Sequence, residues 1–220
     1  MKDFAAFIEK AMGRPAKDLG PFERAVTHAS VGKDSYDRLE FLGDRVLGLA
    51  VSKWVYERFP DEPEGQMSRR YNALVARETC AEVGRALGVP AHIRLGKQAR
   101  EDRASDSDNV VGDVVEALIG ALFLEAGFEA AEAFVRSAWG GYVDSQKRAP
   151  QHPKSALQEL VADMSLAPPV YEVIGRAGPH HAPTFRVRVS VKNGGEAEAE
   201  GQSKQDAETL AAAALLEKLR

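Results

Sequence analysis

The spacing of apolar residues divides the chain into two parts with different predicted structures. From about residue 3 to residue 147, apolar residues recur at intervals of three and four, as on one face of an α-helix. The clearest periodic stretches are 38–58, 68–87 and 110–139. Segments rich in Gly, Pro or charged residues separate these stretches, at 59–65, 88–90 and 96–108. The pattern therefore predicts a mainly α-helical N-terminal domain.

The pattern changes after a polar segment at 144–153, which contains two prolines and marks the predicted domain boundary. A short helix is predicted at 154–164, and an alanine-rich helix begins at Lys204. Three strand patterns lie between these helices, at 170–175, 184–192 and 196–201. The order α-β-β-β-α is that of a small α+β domain. The predicted bounds are 1–147 for the N-terminal domain, 148–152 for the linker and 153–220 for the C-terminal domain.

The central strand of the C-terminal domain is predicted to have one packed and one solvated face. Its apolar residues alternate with polar ones and are Phe185, Val187, Val189 and Val191. Beyond the hairpin signal Asn193-Gly194, glutamates alternate with alanines and oppose the basic face of the central strand. The last helix is predicted to pack on the sheet through Ala207, Leu210, Ala211, Ala214 and Leu215.

Charge and cysteine content restrict the partners and the compartment. The 220 residues include 29 Lys and Arg against 33 Asp and Glu, so no bulk positive field attracts phosphates, and any nucleic acid must be bound by local patches. The single cysteine, Cys80, excludes an internal disulfide and a cysteine-based zinc site. No run of about 18 apolar residues and no signal-peptide pattern occurs. We expect a cytoplasmic protein with no membrane segment, and the absence of a Walker motif predicts no nucleotide cofactor.

Carboxylates interrupt two apolar helices and are the main candidates for chemistry. In the segment DRLEFLGD, Asp37, Glu40 and Asp44 share one predicted helical face, and Asp113 and Glu116 do so in VVGDVVEALIGALFLE. Ionised carboxylates in such surroundings cost several kcal/mol unless a cation or hydrogen bonds compensate. Acids without His or Cys select hard cations, so Mg²⁺ or Mn²⁺ is expected. A single acidic pair would more often be a solvated face or an ion-pair partner.

Three segments of the N-terminal domain resemble the bacterial ribonuclease III family. They are DRLEFLGDRVL, PEGQMSRRYNALV and GDVVEALIGALFLE, and they occur in the family's order. The resemblance implies that Glu40, Asp44, Asp113 and Glu116 ligate the catalytic Mg²⁺ ions, for which Mn²⁺ can substitute, with Asp44 and Glu116 as catalytic residues. It gives Asp37 and Glu64 a supporting role near a dimer interface. The family usually has Glu at the position of Asp37.

The C-terminal domain resembles a double-stranded-RNA-binding domain over its full span. The matching segments are HPKSALQEL, GPHHAPTF and GQSKQDAETLAAAALL. The resemblance implies RNA contacts by Gln158, Glu159, His181 and Lys204. Independently of the family, Ser203 with Asp206 three residues later forms an N-cap pattern at a helix N-terminus that suits phosphate. Gln202 and Gln205 replace the Lys or Arg that is common in the family.

The resemblance implies a homodimeric endoribonuclease that hydrolyses double-stranded RNA to 5′-phosphate and 3′-hydroxyl ends, in the processing of rRNA precursors, mRNA and tRNA. Phe41 is the predicted subunit contact, although an ordinary core phenylalanine is comparably compatible with the sequence. Two other functions remain open at this point. One is a non-catalytic binder of double-stranded RNA, and the other is a metal-dependent phosphohydrolase of small nucleotides.

Overall fold

The computed structural model of the chain describes residues 2–146, 149–179 and 183–219. These residues form two compact units, Met1–Pro150 and Gln151–Arg220. The division falls inside the predicted linker, whose bounds at 148 and 152 stay a prediction.

The N-terminal unit consists of α-helices around one apolar core. The helices are α1 (Lys2–Met12), α2 (Gly20–Ala25), α3 (Asp37–Arg58), α4 (Glu64–Leu74), α5 (Arg77–Leu87), α6 (Lys97–Glu101) and α7 (Asp108–Ser145). Short 3₁₀ turns lie at Val89–His92 and Ala104–Asp106. Helices α3 and α7 pack against each other at the centre of the unit, through Leu39, Val46, Leu47, Leu118, Ile119 and Leu122. The predicted mainly α-helical domain is confirmed.

Two of the predicted helical stretches are interrupted where the sequence pattern shows no break. The stretch 68–87 is two helices, because Ala76 is extended, with φ −60° and ψ 144°. The end of α4 is fixed by Trp139, whose Nε1 donates a hydrogen bond to the Leu74 carbonyl at 2.8 Å. Helix α7 bends at Gly127, where φ is 79° and ψ is 179°, a conformation open essentially to glycine alone. Continuous apolar periodicity therefore concealed both changes of direction.

The N-terminal unit extends further into the predicted boundary segment than the polar composition indicated. Helix α7 continues through Asp144 to Ser145. Arg70, which is 1% exposed, donates from Nη1 to the Gln146 carbonyl at 2.6 Å and pairs with Glu62. The buried guanidinium of Arg70 thus fixes the end of α7, although Arg70 and Gln146 are 76 residues apart in sequence.

The C-terminal unit has the predicted α-β-β-β-α order. Its elements are α8 (Pro153–Asp163), β1 (Val170–Ala177), β2 (Thr184–Val191), β3 (Gly195–Gly201) and α9 (Lys204–Leu219). The strands form an antiparallel sheet in the order β1-β2-β3, with a bulge between Val173 and Gly175. Leu157 of α8 and Leu215 of α9 are buried against one face of the sheet together with Val187, Val189 and Val191.

The predicted charge pairing across β2 and β3 is confirmed by contacts. Arg186 pairs with Glu200 at 2.5 Å, and Arg188 pairs with Glu198 at 2.6 Å. One predicted core residue of the last helix is wrong, because Leu210 is 45% exposed. The helical period turns Leu210 away from the sheet. The positions actually buried on α9 are Ala207, Ala211, Ala212, Leu215 and Leu216.

Candidate metal centre and RNA-binding surface

Two glycines bring the acid-bearing helices into backbone contact. A Cβ added at Gly43 of α3 would lie 1.7 Å from the Glu116 carbonyl oxygen of α7. A Cβ added at Gly120 would lie 2.4 Å from the Leu39 carbonyl oxygen. Only glycine permits this approach, and it sets Glu40, one helical turn before Gly43, beside α7. The sequence analysis missed both glycines, although a glycine inside a helix costs about 1 kcal/mol relative to Ala and so indicates a packing reason.

Three of the predicted acids lie close together where α3 crosses α7. Glu40, Asp113 and Glu116 each offer a carboxylate oxygen, and these oxygens all lie within 4.8 Å of one another. All three side chains are half-buried. The Tyr36 hydroxyl, which the sequence analysis did not single out, donates a hydrogen bond to Asp113 Oδ2 at 3.3 Å. We refer to Glu40, Asp113 and Glu116 as the carboxylate cluster.

Crowding and burial favour the protonated acids of the carboxylate cluster. Burial, followed by the charges of Asp44, Asp113 and Glu40, raises the pKa of Glu116 to about 8. Burial also raises the pKa of Glu40, with Asp113 as the next cause, and raises that of Asp113 against the opposing hydrogen bond from Tyr36. At neutral pH Glu116 of the metal-free cluster therefore holds a proton, which a bound cation could replace.

The other predicted acids lie outside the carboxylate cluster. The Asp44 side chain is 49% exposed, and its Oδ2 pairs with Arg45 Nη1 at 2.8 Å. Asp37 is exposed and is close enough to raise the pKa of Glu40 and of Asp113. Glu64, exposed at the start of α4, accepts a hydrogen bond from Ser68 Oγ at 2.6 Å.

The donor set of the carboxylate cluster fits a hard divalent cation. Carboxylate oxygens alone favour Mg²⁺ or Mn²⁺ over Zn²⁺. Cys80 contributes nothing to such a site, because it is fully buried and burial raises its thiol pKa to about 12. A free cysteine in such surroundings packs as a small apolar residue.

Phe41 lies on an exposed apolar surface of the N-terminal unit. Its side chain is 64% exposed, and Leu124, which lines the same groove, is 62% exposed. Arg45 stacks its guanidinium over the Phe41 ring at 4.0 Å. The alternative of an ordinary core phenylalanine is therefore wrong. Leu49 and Tyr56 are also exposed on α3, at 58% and 72%.

The predicted RNA-contacting residues are exposed on the two helices of the C-terminal unit. Gln158 and Glu159 lie on the solvated face of α8. Ser203 Oγ accepts the Asp206 backbone N–H at 3.1 Å, the cap that the sequence predicts for α9. The Lys204 side chain next to this cap is 64% exposed. His181 lies outside the described residues.

A partner of the basic residues on this surface was missed by the sequence analysis. Glu208 of α9 pairs with Lys154 Nζ of α8 at 2.7 Å and lies 3.9 Å from Lys204 Nζ. Residues four apart on a helix are neighbours, so the pair with Lys204 was predictable, whereas the pair with Lys154 depends on how α8 packs on α9.

Comparison with known proteins identifies the family. A Ribonuclease-III-like family profile matches residues 21–139, and a Double-stranded RNA binding motif matches residues 153–219. The chain is 55% identical to "Ribonuclease 3" of Zymomonas mobilis, over 97% of this chain and 87% of the relative. It is 44% identical to "Ribonuclease 3" of Rhodopseudomonas palustris, over 98% of this chain and 81% of the relative. The chain belongs to the ribonuclease III family.

The N-terminal unit also resembles solved nuclease domains of the ribonuclease III family. The crystal structure of the nuclease domain of ribonuclease III from Campylobacter jejuni is similar, with a TM-score of 0.61 and 31% identity, over 64% of this chain and 97% of that chain. With both domains of the ribonuclease III family, the chain is a double-strand-specific endoribonuclease. The family is metal-dependent, and the carboxylate cluster supplies a suitable donor set. Among the described residues, no helix is both long and apolar enough to cross a bilayer.

Proposed function

We propose that this endoribonuclease hydrolyses double-stranded RNA with Mg²⁺, for which Mn²⁺ can substitute, held by Glu40, Asp44, Asp113 and Glu116. The observation that carries the proposal is the approach of three carboxylate oxygens to within 4.8 Å of one another. In the described part of the chain, Asp44 is the only one of the four acids in a salt bridge. Clustered carboxylates that are in no salt bridge with a cationic side chain are the arrangement that a divalent cation stabilises.

Glu116 and Asp44 are the proposed catalytic residues. Glu116 lies deepest among the acids, so its ionisation is the one that a bound cation would favour most. Mg²⁺, when bound, would polarise the phosphodiester and lower the pKa of water. Asp44 lies at the exposed edge of the site, where it can approach an RNA strand. The proposed products are 5′-phosphate and 3′-hydroxyl ends.

Binding of the duplex is assigned to the C-terminal unit. The exposed Gln158 and Glu159 can contact 2′-hydroxyl groups in a shallow minor groove, and His181 is proposed to reach the next one. Ser203 and Lys204 lie at the N-terminus of α9, where backbone N–H groups and the lysine ammonium favour phosphate. Such contacts read the shape of A-form RNA more than its sequence.

A homodimer is proposed on the basis of the exposed apolar surface of α3. Phe41 and Leu124 lie together in one groove and are both more than 60% exposed, which favours burial against a second subunit. A second structure of the Campylobacter jejuni nuclease domain, 32% identical with a TM-score of 0.59 over 60% of this chain and 93% of that chain, is described as structurally flexible in a region involved in dimer formation. Asp37 lines the same groove of the present chain, whereas Glu64 lines a second groove together with the exposed Tyr56 of α3. A supporting role for both acids near the dimer interface is part of the proposal.

The proposed cellular role is the processing of rRNA precursors, mRNA and tRNA in the cytoplasm. The proposed domain bounds are 1–147 and 153–220, joined by a linker at 148–152. The match of a Double-stranded RNA binding motif to 153–219 disfavours a phosphohydrolase of small nucleotides, since such an enzyme would not need this domain. No observation favours that function, or a non-catalytic binder, over the proposed one.

The test is cleavage of an end-labelled RNA duplex of about two helical turns. The full chain should yield discrete products with Mg²⁺ and none with EDTA. Glu116→Gln should lower the single-turnover rate on the order of a thousandfold, because the metal contributes several kcal/mol to transition-state stabilisation. Glu129→Gln, an exposed change on the same helix, is the matched control and should cut normally. Normal cleavage by Glu116→Gln would refute the site, and tight binding without cleavage in any metal would favour a non-catalytic binder.

A further inference from the structure

Tyr36 joins the loop before α3 to the first turn of that helix. Its backbone N–H donates to the Thr27 carbonyl at 2.9 Å, and its own carbonyl accepts the Glu40 N–H at 2.9 Å. The side chain is 5% exposed. The backbone of this residue is therefore held from both sides, and one of the two partners is itself a member of the carboxylate cluster.

The ring of Tyr36 is held by a second set of contacts. It packs edge-on against His28, with 5.8 Å between ring centroids and an interplanar angle of 63°. His28 Nδ1 lies 2.8 Å from Ser30 Oγ, and Ser30 Oγ in turn accepts the Gly96 backbone N–H at 2.9 Å. A Cβ at Gly96 would lie 2.5 Å from the Ser30 carbonyl oxygen, so the backbones at Gly96 and Ser30 are in close contact. The phenol is consequently held in one orientation.

The Tyr36 hydroxyl is the one neutral side-chain donor that the described residues direct at the carboxylate cluster. It donates to Asp113 Oδ2 at 3.3 Å. A hydrogen bond to one carboxylate oxygen fixes the rotation of the group and leaves the other oxygen for a cation. Partners of this kind orient metal-binding carboxylates without touching the metal.

We propose that Tyr36 is a positioning residue, whose hydroxyl orients Asp113 for a divalent cation shared with Glu40 and Glu116. The inference rests on the proposed function, because it requires that the carboxylate cluster binds a metal. Tyr36 itself contacts neither the metal nor the RNA. Its effect reaches the reaction only through Asp113.

The test compares Tyr36→Phe with the full wild-type chain, and it measures Mn²⁺ binding in the absence of RNA by electron paramagnetic resonance. The substitution keeps the buried ring and removes only the donor. We expect the Kd for Mn²⁺ to rise roughly tenfold, since the loss of such a partner weakens metal affinity by about ten- to a hundredfold and the bond here is long. In cleavage assays the half-saturating metal concentration should rise by the same factor, while kcat at saturating metal stays within about threefold of the wild-type value.

Tyr142→Phe is the matched control, because it also removes the hydroxyl of a half-buried tyrosine near a carboxylate, that of Glu82, in the same unit. It should leave the Kd for Mn²⁺ unchanged. An unchanged Kd in Tyr36→Phe, or an equal shift in both variants, would overturn the inference and leave the proposed metal site intact. Failure of the wild-type chain to bind Mn²⁺ would overturn the metal site and the inference together. The free energy of unfolding, measured without metal, separates a loss of stability from a loss of affinity.

Discussion

Charged side chains are arranged in opposite ways in the two units of this protein. In the N-terminal unit, three carboxylates approach within 4.8 Å of one another in half-buried surroundings. In the C-terminal unit, acids and bases alternate across β2 and β3 and pair directly, as in Arg186 with Glu200 and Arg188 with Glu198. The clustered carboxylates are unfavourable unless a cation binds to them. The charges of the sheet neutralise one another and need no further partner.

The contrast shows which charges indicate function. Exposed ion pairs contribute little to stability and need no ligand, so the paired sheet face is compatible with a solvated surface. Like charges that are brought together by a helix crossing raise one another's pKa values, and the fold gains nothing from them unless a cation binds.

The largest effect is expected from Gly43→Ala, which removes the close approach that creates the carboxylate cluster. The new Cβ would meet the Glu116 carbonyl oxygen at 1.7 Å, so α3 and α7 must separate. We expect the free energy of unfolding to fall by about 3 kcal/mol and cleavage to be lost. Chemical denaturation and the duplex assay measure the two effects.

Gly65→Ala is the control for that substitution. Gly65 lies in α4, and nothing lies within 4 Å of its Cβ position. Alanine there should stabilise the protein by about 0.5 to 1 kcal/mol through helix propensity. Equal stability of Gly43→Ala and Gly65→Ala would show that the helices are not in backbone contact.

A smaller effect is expected from Ser203→Ala at the start of α9. The change removes the cap on the Asp206 N–H and should cost about 1 kcal/mol of stability. It should also weaken duplex binding, since Lys204 would no longer be held beside an ordered helix end. Ser155→Ala, at an exposed position of α8, should be neutral in both measurements. Unchanged stability in Ser203→Ala would contradict the capping role.

The smallest effect is expected from Arg188→Gln on the sheet face. Its partner Glu198 is exposed, so water replaces the lost contact, and the unfolding transition should not move measurably. Lys154→Gln provides the comparison, because its partner Glu208 is only 15% exposed, and its loss should cost up to about 1 kcal/mol. A larger loss of stability in Arg188→Gln than in Lys154→Gln would contradict the interpretation of the sheet face as a solvated surface.

The sequence predicted the elements whose pattern is local. Alternation along β2 and the N-cap at Ser203 depend on near neighbours, and the structure has both. The break at Ala76 and the bend at Gly127 were not predicted, because the apolar residues around them continue without interruption. The first depends on Trp139, which is distant in sequence, and the second on the backbone freedom of a single glycine.

The three acids of the carboxylate cluster were singled out from the sequence, but their geometry was not. That Glu40 would meet Asp113 and Glu116 came from the family resemblance, since spacing along one helix cannot show which helix it faces. The exposed position of Asp44 and the Tyr36 hydroxyl depend on tertiary packing and left no pattern in the sequence. Gly43 and Gly120 did leave a pattern in the sequence, because each is a glycine within a predicted helix.

The central claim is that the metal-free carboxylate cluster lowers the stability of the folded chain and that a bound cation removes this effect. Thermal unfolding as a function of pH tests this claim most directly. Burial raises the pKa of Glu116 from its ordinary value of 4.5 to about 8 in the folded chain. The folded chain is therefore most stable at low pH, where Glu116 is protonated in both states, and it loses stability as the pH rises from 4.5 through 8. Without metal, the wild-type chain should therefore lose stability from pH 5 to pH 8 relative to Glu116→Gln, and saturating Mg²⁺ or Mn²⁺ should restore it at pH 8 in the wild-type chain only. Parallel pH profiles of the two proteins, with no effect of either metal, would contradict the account.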